Sequence, residues 1–350
     1  MKKNIKYTTL CISLFMIATL CARAASGIGV GTGTDQAFAK VGMSGGQFLK
    51  IAHGARGSAM AGAVSALTND LSSVYWNPAG IAELPSLTVE FDYTGWFAGM
   101  NHNFAAVGMP LGDNFAFAIH YTGLSTDEME RTTIERPDGL NSYFTANDIS
   151  VGASFAGYLT DQFSFGITAR YLSNSIAQAD AVGFSFDVGT KYKTGIQGLV
   201  LGVSLHGLTT ELTYTGNEFN TTMKLVEEQW SAPVDVAYMS NPFDIPLLFR
   251  ANAACDIYKD EDNYVVGAID FTTTSDSPEQ FAIGAEWIWH NLLALRAGYR
   301  FGHDTQGFSG GIGINYQTSV FGGRIDYSIS PMTHDLGLIN RVTVAVDLGR

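Results

Sequence analysis

This 350-residue chain is poor in three things. Uninterrupted apolar runs are the first. No stretch after residue 24 approaches the roughly 18–20 residues a spanning helix needs, which excludes a helical inner-membrane protein. A barrel is not excluded, because its strands turn only about half of their residues to lipid. Basic residues are the second shortage, with 20 Lys and Arg against 33 Asp and Glu. Nucleic acid is therefore not expected as a partner, since phosphate binding needs clustered cations. Cysteine is the third, with three in all.

The N-terminus reads as a secretory signal over residues 1–24. Lys2, Lys3 and Lys6 form a charged start, Leu10 to Leu20 is almost purely apolar, and Ala22-Arg23-Ala24 offers an A-x-A cleavage site. Cys21 sits badly for a lipobox, with Ala18 and Leu20 at the positions that matter. Removing the segment takes four basic residues and no acidic one, so the mature net charge becomes −17. Cys255 is then the sole cysteine, and no intrachain disulfide is possible. A signal without a disulfide framework fits a bacterial envelope protein.

What the chain has is alternation. Val342, Val344, Val346 and Leu348 share one face of a strand, and Arg341, Thr343, Ala345 and Asp347 the other. The pattern recurs at Leu87/Val89/Phe91/Tyr93, Phe115/Phe117/Ile119/Tyr121, Phe163/Phe165/Ile167/Ala169/Tyr171 and Val182/Phe184/Phe186/Val188. Later come Phe281/Ile283/Ala285/Trp287/Trp289, Leu293 to Phe301, Phe308 to Tyr316 and Ile325/Tyr327/Ile329. Short polar links such as Gly112-Asp113-Asn114 and Thr160-Asp161-Gln162 read as hairpin turns. Two longer ones, Ser125 to Tyr143 and Thr210 to Gln229, read as extracellular loops.

The opposite phase carries Glu90, Asp92, Arg170, Asp187, Glu286, Arg296, Arg300, Arg324, Asp326, Arg341 and Asp347. Charges of both signs on one sheet face belong in a polar or plugged lumen, because an Arg facing lipid costs roughly 2–4 kcal/mol near the midplane. The expected fold is an all-β transmembrane antiparallel barrel. A simple tally gives 15 strands; barrels favour even numbers, and Trp230 to Ser240 is the weakest, so 14 are expected. A soluble β-sandwich or β-helix would have to hide this many aromatic faces in one core.

Residues 25–84 form the expected luminal plug and residues 85–350 the barrel. Only Phe48 to Leu84 has helical grammar, with Met60, Val64 and Leu67 on one helical face. Asn77-Pro78-Ala79-Gly80 offers an N-cap, a proline at the first helical position and a glycine stop.

Catalytic motifs are sparse. Gly307-Phe308-Ser309-Gly310-Gly311 and Gly42-Met43-Ser44-Gly45-Gly46 match G-x-S-x-G, but neither lies between a strand and a helix as a nucleophile elbow must. His53, His102, His120, His206, His290, His303 and His334 show no metal-ligand spacing. The inward carboxylates need no acid–base role, because a polar barrel interior supplies such residues anyway. Gly311-Ile312-Gly313 runs into a strand, so no phosphate-cradling helix follows. No enzyme activity and no cofactor are expected.

Gly54-Ala55-Arg56-Gly57-Ser58-Ala59-Met60-Ala61-Gly62-Ala63, then Asn69-Asp70, then Tyr75-Trp76-Asn77-Pro78-Ala79-Gly80, resembles the N-terminal signature of the PorV/PorQ family. Leu295-Arg296-Ala297-Gly298-Tyr299, Gly310 to Ile314, Ile325-Asp326-Tyr327 and Leu336-Gly337 resemble its C-terminal elements. The middle glycine block departs from the family pattern at Gly57-Ser58-Ala59-Met60-Ala61-Gly62. The resemblance implies a 14-stranded FadL-like outer-membrane barrel in the type IX secretion system, with the translocon and cargo C-terminal domains as partners beside outer-membrane lipid. Asn77 to Gly80 would then turn the chain from plug to first strand, either seating the plug or touching a partner. The alternative is a FadL-like channel for small hydrophobic molecules. A channel requires an apolar pocket beside the plug and a weakness in the wall; a secretion component requires a closed wall and sticky extracellular loops.

Overall fold

A computed structural model describes residue 42 and residues 44–224, 232–318 and 321–349. The expected signal segment lies outside the described residues, as does Trp230.

The alternating segments form fourteen long strands. They are β1 Leu87–Gly95, β2 Asn101–Leu111, β3 Phe115–Ser125, β4 Ala146–Thr160, β5 Phe163–Ile176, β6 Ala179–Lys193 and β7 Val200–Thr209. The second half comprises β8 Leu248–Lys259, β9 Asn263–Thr274, β10 Ser277–Trp289, β11 Leu293–Phe301, β12 Phe308–Gln317, β13 Phe321–Met332 and β14 Gly337–Leu348. Each pairs antiparallel with its sequence neighbours. β14 returns to β1, from Leu87 opposite Leu348 to Gly95 opposite Asn340, and the sheet closes. Closure leaves no free edge, the condition for a sheet in hydrocarbon.

Alternation sets the two faces. Phe91, Ile119, Phe184, Ile312 and Ile325 stand on the exposed outer surface, while Glu90, Asp92, His120 and Ser185 point inward and are buried. An apolar outer belt around a closed fourteen-stranded barrel places the protein in the bacterial outer membrane. At one end no connection exceeds six residues; the other end carries the long connections 126–145 and 210–247, which marks it as extracellular.

The weak fifteenth segment is not part of the wall. Val234–Ala237 pairs with Asn220–Met223 in a separate hairpin, so the second long connection runs to residue 247, beyond the expected Gln229.

The plug fills the lumen but departs from the helical expectation. It holds a 3-10 turn at Gln47–Lys50, two short helices at Ala55–Ala59 and Ser73–Trp76, and a 3-10 segment at Pro78–Glu83. Residues 60–67 are turns, with Ala61 at φ 54° and Gly62 at φ 93°. Met60 and Val64 are buried and Leu67 half-buried without a helix between them. Gly62 is a poor helix former and takes a φ of 93°, and the buried residues of this run pack on the wall instead. Gly80 does not stop the helix either. The segment continues to Glu83, and Gly80 is small because a Cβ there would meet the Thr68 carbonyl and the Ser73 hydroxyl.

Candidate functional site

The wall is built to hold the plug. Asn77, Pro78, Ala79 and Gly80 are all fully buried. Asn77 caps its 3-10 segment by accepting from the Ala79 amide at 3.1 Å and donates to the Thr190 carbonyl on β6 at 3.0 Å. A Cβ on Gly166 of β5 would strike the backbone of Pro78 and Ala79, and one on Gly189 of β6 would strike the Asn77 side chain. Across the lumen, Gly298 of β11 meets the Met60 carbonyl and the Ala61 amide in the same way. These strand glycines are places where two backbones approach. The carbonyls at the end of Ser73–Trp76 are met by wall cations, the sign that suits a helix C-terminus. Arg170 donates to Val74 at 2.6 Å and Arg250 to Tyr75 at 2.7 Å. The Arg250 guanidinium also lies 4.6 and 4.8 Å from the ring centroids of Tyr75 and Trp76. Among the described residues the turn motif is in contact with the wall and with the rest of the plug.

The expected luminal residues Glu90, Asp92, Arg170, Asp187, Glu286, Arg296, Arg300, Arg324 and Asp326 all lie on the inner face, as do Arg341 and Asp347. Glu286, Arg296, Arg324 and Asp347 border a polar cavity of about 350 Å³ at the periplasmic end, and most of the set is tied up in ion pairs. At the periplasmic end Arg56 of the plug pairs with Glu286 at 2.7 Å, and Arg296 joins Glu286 to Asp326 at 2.6 Å each. Arg324 then reaches Asp70 of the plug at 2.8 Å, Asp326 at 2.9 Å and Glu90 at 3.1 Å. Three guanidiniums and four carboxylates thus bind plug to wall across that mouth. Higher up, Arg170 pairs with Asp187 at 2.7 Å and Arg341 with Asp92 at 3.5 Å. Lys191 pairs with Glu83 at 2.7 Å.

Sequence reasoning missed Arg250, Lys191 and the plug's own Arg56 and Asp70 as members of this interior. Lys191 continues the inward phase of β6, and Arg250 and Asn252 alternate on β8. The signal in β8 was faint, because its outward positions include Ala251 and Ala253 rather than large apolar groups.

The extracellular half of the lumen is different. A cavity of about 490 Å³ lies between the plug and the connections β1–β2, β11–β12 and β13–β14. Its walls are mainly apolar, with Phe48 and Ile51 of the plug facing Trp96, Phe97, Leu124 and Ile339. Arg300, His303 and Gln306 supply a polar edge. Arg300 donates to the Ala61 carbonyl at 2.9 Å and to Gln306 at 3.3 Å. Unlike Arg56, Arg170, Arg296, Arg324 and Arg341, it forms no ion pair among the described residues.

The wall beside this cavity is weakly joined. The ladder between β12 and β13 runs from Gln317↔Gly322 to Gly310↔Ile329 and is then interrupted, although β13 continues pairing with β14 as far as Met332. It resumes only as an isolated bridge at Gln306↔Met332 and the Thr333 amide bond to the Thr305 carbonyl at 2.9 Å. Pro331 has no N–H to give, and its place in the ladder would fall opposite Phe308. Ser309 and Ser330 meet there through their hydroxyls at 2.9 Å, and both line the cavity. A second irregularity, at Phe186/Val188 between β6 and β7, borders only a space of about 40 Å³.

Ser309 belongs to one G-x-S-x-G match and shares its cavity with His303, yet the pair does not make a nucleophile and base. Ser309 lies within a strand. His303 Nδ1 accepts the amides of Thr305 and Gln306 at 3.1 Å each, which leaves the proton on Nε2. Burial and the nearby Arg300 push this histidine down to about 4. In the other match, Ser44 has no regular secondary structure and is followed only by the 3-10 turn Gln47–Lys50. Nor do any three His, Cys, Asp or Glu side chains among the described residues make a metal-holding group. The histidines are less scattered than their spacing suggests, because His53, His102 and His120 converge inside the barrel around Phe104.

The sequence matches no family model and no curated protein. The structure is similar to solved outer-membrane barrels. The toluene transporter TodX of Pseudomonas putida superposes with a TM-score of 0.58 at 13% identity, covering 84% of this chain and 96% of that one. The monoaromatic hydrocarbon channel CymD gives 0.55 at 12% identity, covering 90% and 99%. The toluene transporter TbuX of Ralstonia pickettii gives 0.54 at 11% identity, covering 85% and 98%. At such identities the shared property is the fold, that of an outer-membrane β-barrel.

Proposed function

We propose that this protein is an outer-membrane channel for a small, mostly apolar molecule. The observation that carries the reading is the apolar cavity of about 490 Å³ above the plug, open to the long-connection end and bordered by the unladdered stretch between β12 and β13. Pockets of this size and lining are those that bury small ligands. The charged network across the periplasmic mouth argues against passage straight through, since dismantling it would strip several buried ions of their partners. Between Gly310↔Ile329 and the isolated Gln306↔Met332 bridge, the β12–β13 seam is held by the Ser309–Ser330 contact. Among the similar barrels, TodX is a toluene transporter and CymD a monoaromatic hydrocarbon channel, which supports the same class of cargo here. Arg300 and the His303 Nε2–H offer donors without an acceptor, so a ligand with one acceptor at its end suits the cavity better than a pure hydrocarbon.

The test is a sealed seam. In liposomes or cells, an S309C/S330C variant should take up labelled monoaromatics when reduced and lose uptake when oxidised. Equal uptake in both states would remove the route, and no saturable binding of any apolar probe to the purified barrel would remove the channel reading.

A second reading, a type IX secretion component, rests on the Gly54–Gly80 signature and on the extracellular loops. There Arg131 and Glu218 tie the two long connections together at 2.5 Å, while Ile134, Tyr238 and Met239 stand exposed. Copurification of a large translocon barrel or of cargo C-terminal domains from outer membranes would favour it; a barrel that purifies alone would count against it.

A further inference from the structure

We propose that His53 of the plug, with His102 on β2 and His120 on β3, forms an acid-sensitive latch whose protonation frees the plug arm Phe48–His53 from the wall.

All three side chains are buried, at 0%, 0% and 1% exposure. The His53 ring lies 4.7 Å from Tyr75, 4.6 Å from Phe104 and 5.1 Å from His102, and Phe104 lies 6.5 Å from His120. Hydrogen bonding is almost absent. His53 Nε2 is 3.5 Å from the Thr122 hydroxyl, while His53 Nδ1 and both nitrogens of His102 and His120 meet no partner among the described residues. A neutral imidazole tolerates that setting. An imidazolium does not, because a buried charge needs a counter-ion and hydrogen bonds.

No counter-ion waits for one. The charged groups facing the cluster are Arg170 of β5 and Arg341 of β14, both cations that repel a second positive charge, and Asp187 of β6 on the His120 side. Their carboxylates are committed: Asp187 holds Arg170, and Asp92 holds Arg341, the Thr343 hydroxyl and the Gly54 amide. Tyr75 presents its ring and spends its hydroxyl on the Lys50 carbonyl. Protonating one histidine also adds a like charge beside the other two.

The arm that bears His53 forms part of the cavity. Phe48 and Ile51 line it, and Trp76 Nε1 holds the His53 carbonyl at 2.9 Å. Losing the His53 contact therefore removes one wall of the cavity as well as one anchor of the plug.

The docked arm buries His53 without a counter-ion, whereas in the released arm His53 titrates near the ordinary histidine value of about 6.5. Docking is therefore at full strength above about pH 6.5 and weakens as pH falls, by up to about tenfold per pH unit. At pH 5 a single histidine would already favour release by about 30-fold relative to neutral pH. The Lys50–Asp276 pair at 3.1 Å does not confound this window, because its carboxylate stays ionised at pH 5.

The experiment is hydrogen exchange by mass spectrometry on the full chain in lipid nanodiscs at pH 7.5 and 5.0, corrected for intrinsic rates. Protection of peptides covering residues 48–60 should fall at least tenfold at pH 5.0, while peptides from β8 to β12 keep theirs. The single variant H102Q should reduce that fall measurably, and the triple variant H53F/H102F/H120F, if it assembles, should abolish it. H290N, at a periplasmic turn, should leave it unchanged. Unchanged protection of the wild-type arm at pH 5.0 would overturn the latch, as would a pH response that H102Q leaves intact.

Discussion

Replacing Gly166 with valine should loosen the plug in its seat without opening the barrel. A Cβ at this position meets the Pro78 carbonyl carbon and oxygen and the Ala79 nitrogen, all backbone atoms that cannot rotate away. Two responses are open. The Pro78–Glu83 turn can stay and accept the crowding, at about 1–3 kcal/mol for an overpacked site. Alternatively it can lift off and lose the Asn77–Thr190 bond, the Arg170 bond to Val74 and the Lys191 bond to Thr68 at 2.8 Å. At about 1 kcal/mol for the neutral bond and 1.5–3 for each charged one, leaving costs roughly 4–7 kcal/mol. Crowding is cheaper, so the docked state should lose about 3 kcal/mol, near the top of its range because valine is branched. Transient release then rises about 100-fold. Trypsin reads this directly, since cleavage after Lys50 and Arg56 requires the plug to leave its seat, and the cleavage rate follows the open population when reclosing is fast. The barrel itself should keep its heat-modifiable migration on gels. Gly323→Ala is the control, because a Cβ there meets nothing within 4 Å. If G166V were cleaved no faster than G323A, the account of the strand glycines as a plug seat would be refuted.

Other substitutions test other parts of the account. Arg324→Met leaves Asp70, Glu90 and Asp326 buried around a lost charge and should cost about 3–5 kcal/mol, seen as faster tryptic release of the plug with the barrel intact. Ile312→Arg puts a charge on the lipid face of β12 and should cost about 2–4 kcal/mol in denaturant-driven unfolding from bilayers, whereas Ile312→Leu should cost almost nothing. Arg300→Leu should weaken ligands carrying a carboxylate or carbonyl by about tenfold in equilibrium binding and leave toluene-like probes unaffected, given a charged hydrogen bond worth about 1.5 kcal/mol or more. Equal losses for both classes would mean that Arg300 only supports the plug through Ala61.

The barrel was legible because its signal repeats. A two-residue period in Leu87–Gly95 or Val342–Leu348 states which side faces lipid, and the closing pair of β1 with β14 follows from having both at the ends of one sheet. Inward charges were legible for the same reason, from Glu90 to Asp326. Their partners were not, because pairing depends on which plug residue faces which strand. Arg56 to Glu286 spans 230 positions, and no local pattern announces it. The plug was read as more helical than it is, since Met60, Val64 and Leu67 fit a helical period by chance. Their burial comes from the wall, and Ala61 and Gly62 break the helix before it forms. The histidine cluster was invisible for a related reason: His53, His102 and His120 share no spacing and meet only after the barrel closes.

The Gly54–Gly80 signature is the one feature that pointed to secretion, and the contacts of its residues bear on what such a signature can say. Asn77 spends both ends of its amide inside the turn and on β6, and Trp76 spends its N–H on the His53 carbonyl. Arg56 and Asp70 close ion pairs with β10 and β13. Each of these residues is occupied in fastening a plug to a wall, and none faces the extracellular surface where cargo or translocon would dock. A barrel that transports and a barrel that escorts proteins need the same fastening. The contacts of the signature residues therefore account for fastening the plug and do not set the barrel's task. That distinction belongs to the residues that differ in what they leave free: Arg300 and the seam at Ser309 and Ser330 for a ligand, and Ile134, Tyr238 and Met239 for a protein. Substituting the first set should alter small-molecule binding and spare any partner capture, and substituting the second should do the reverse.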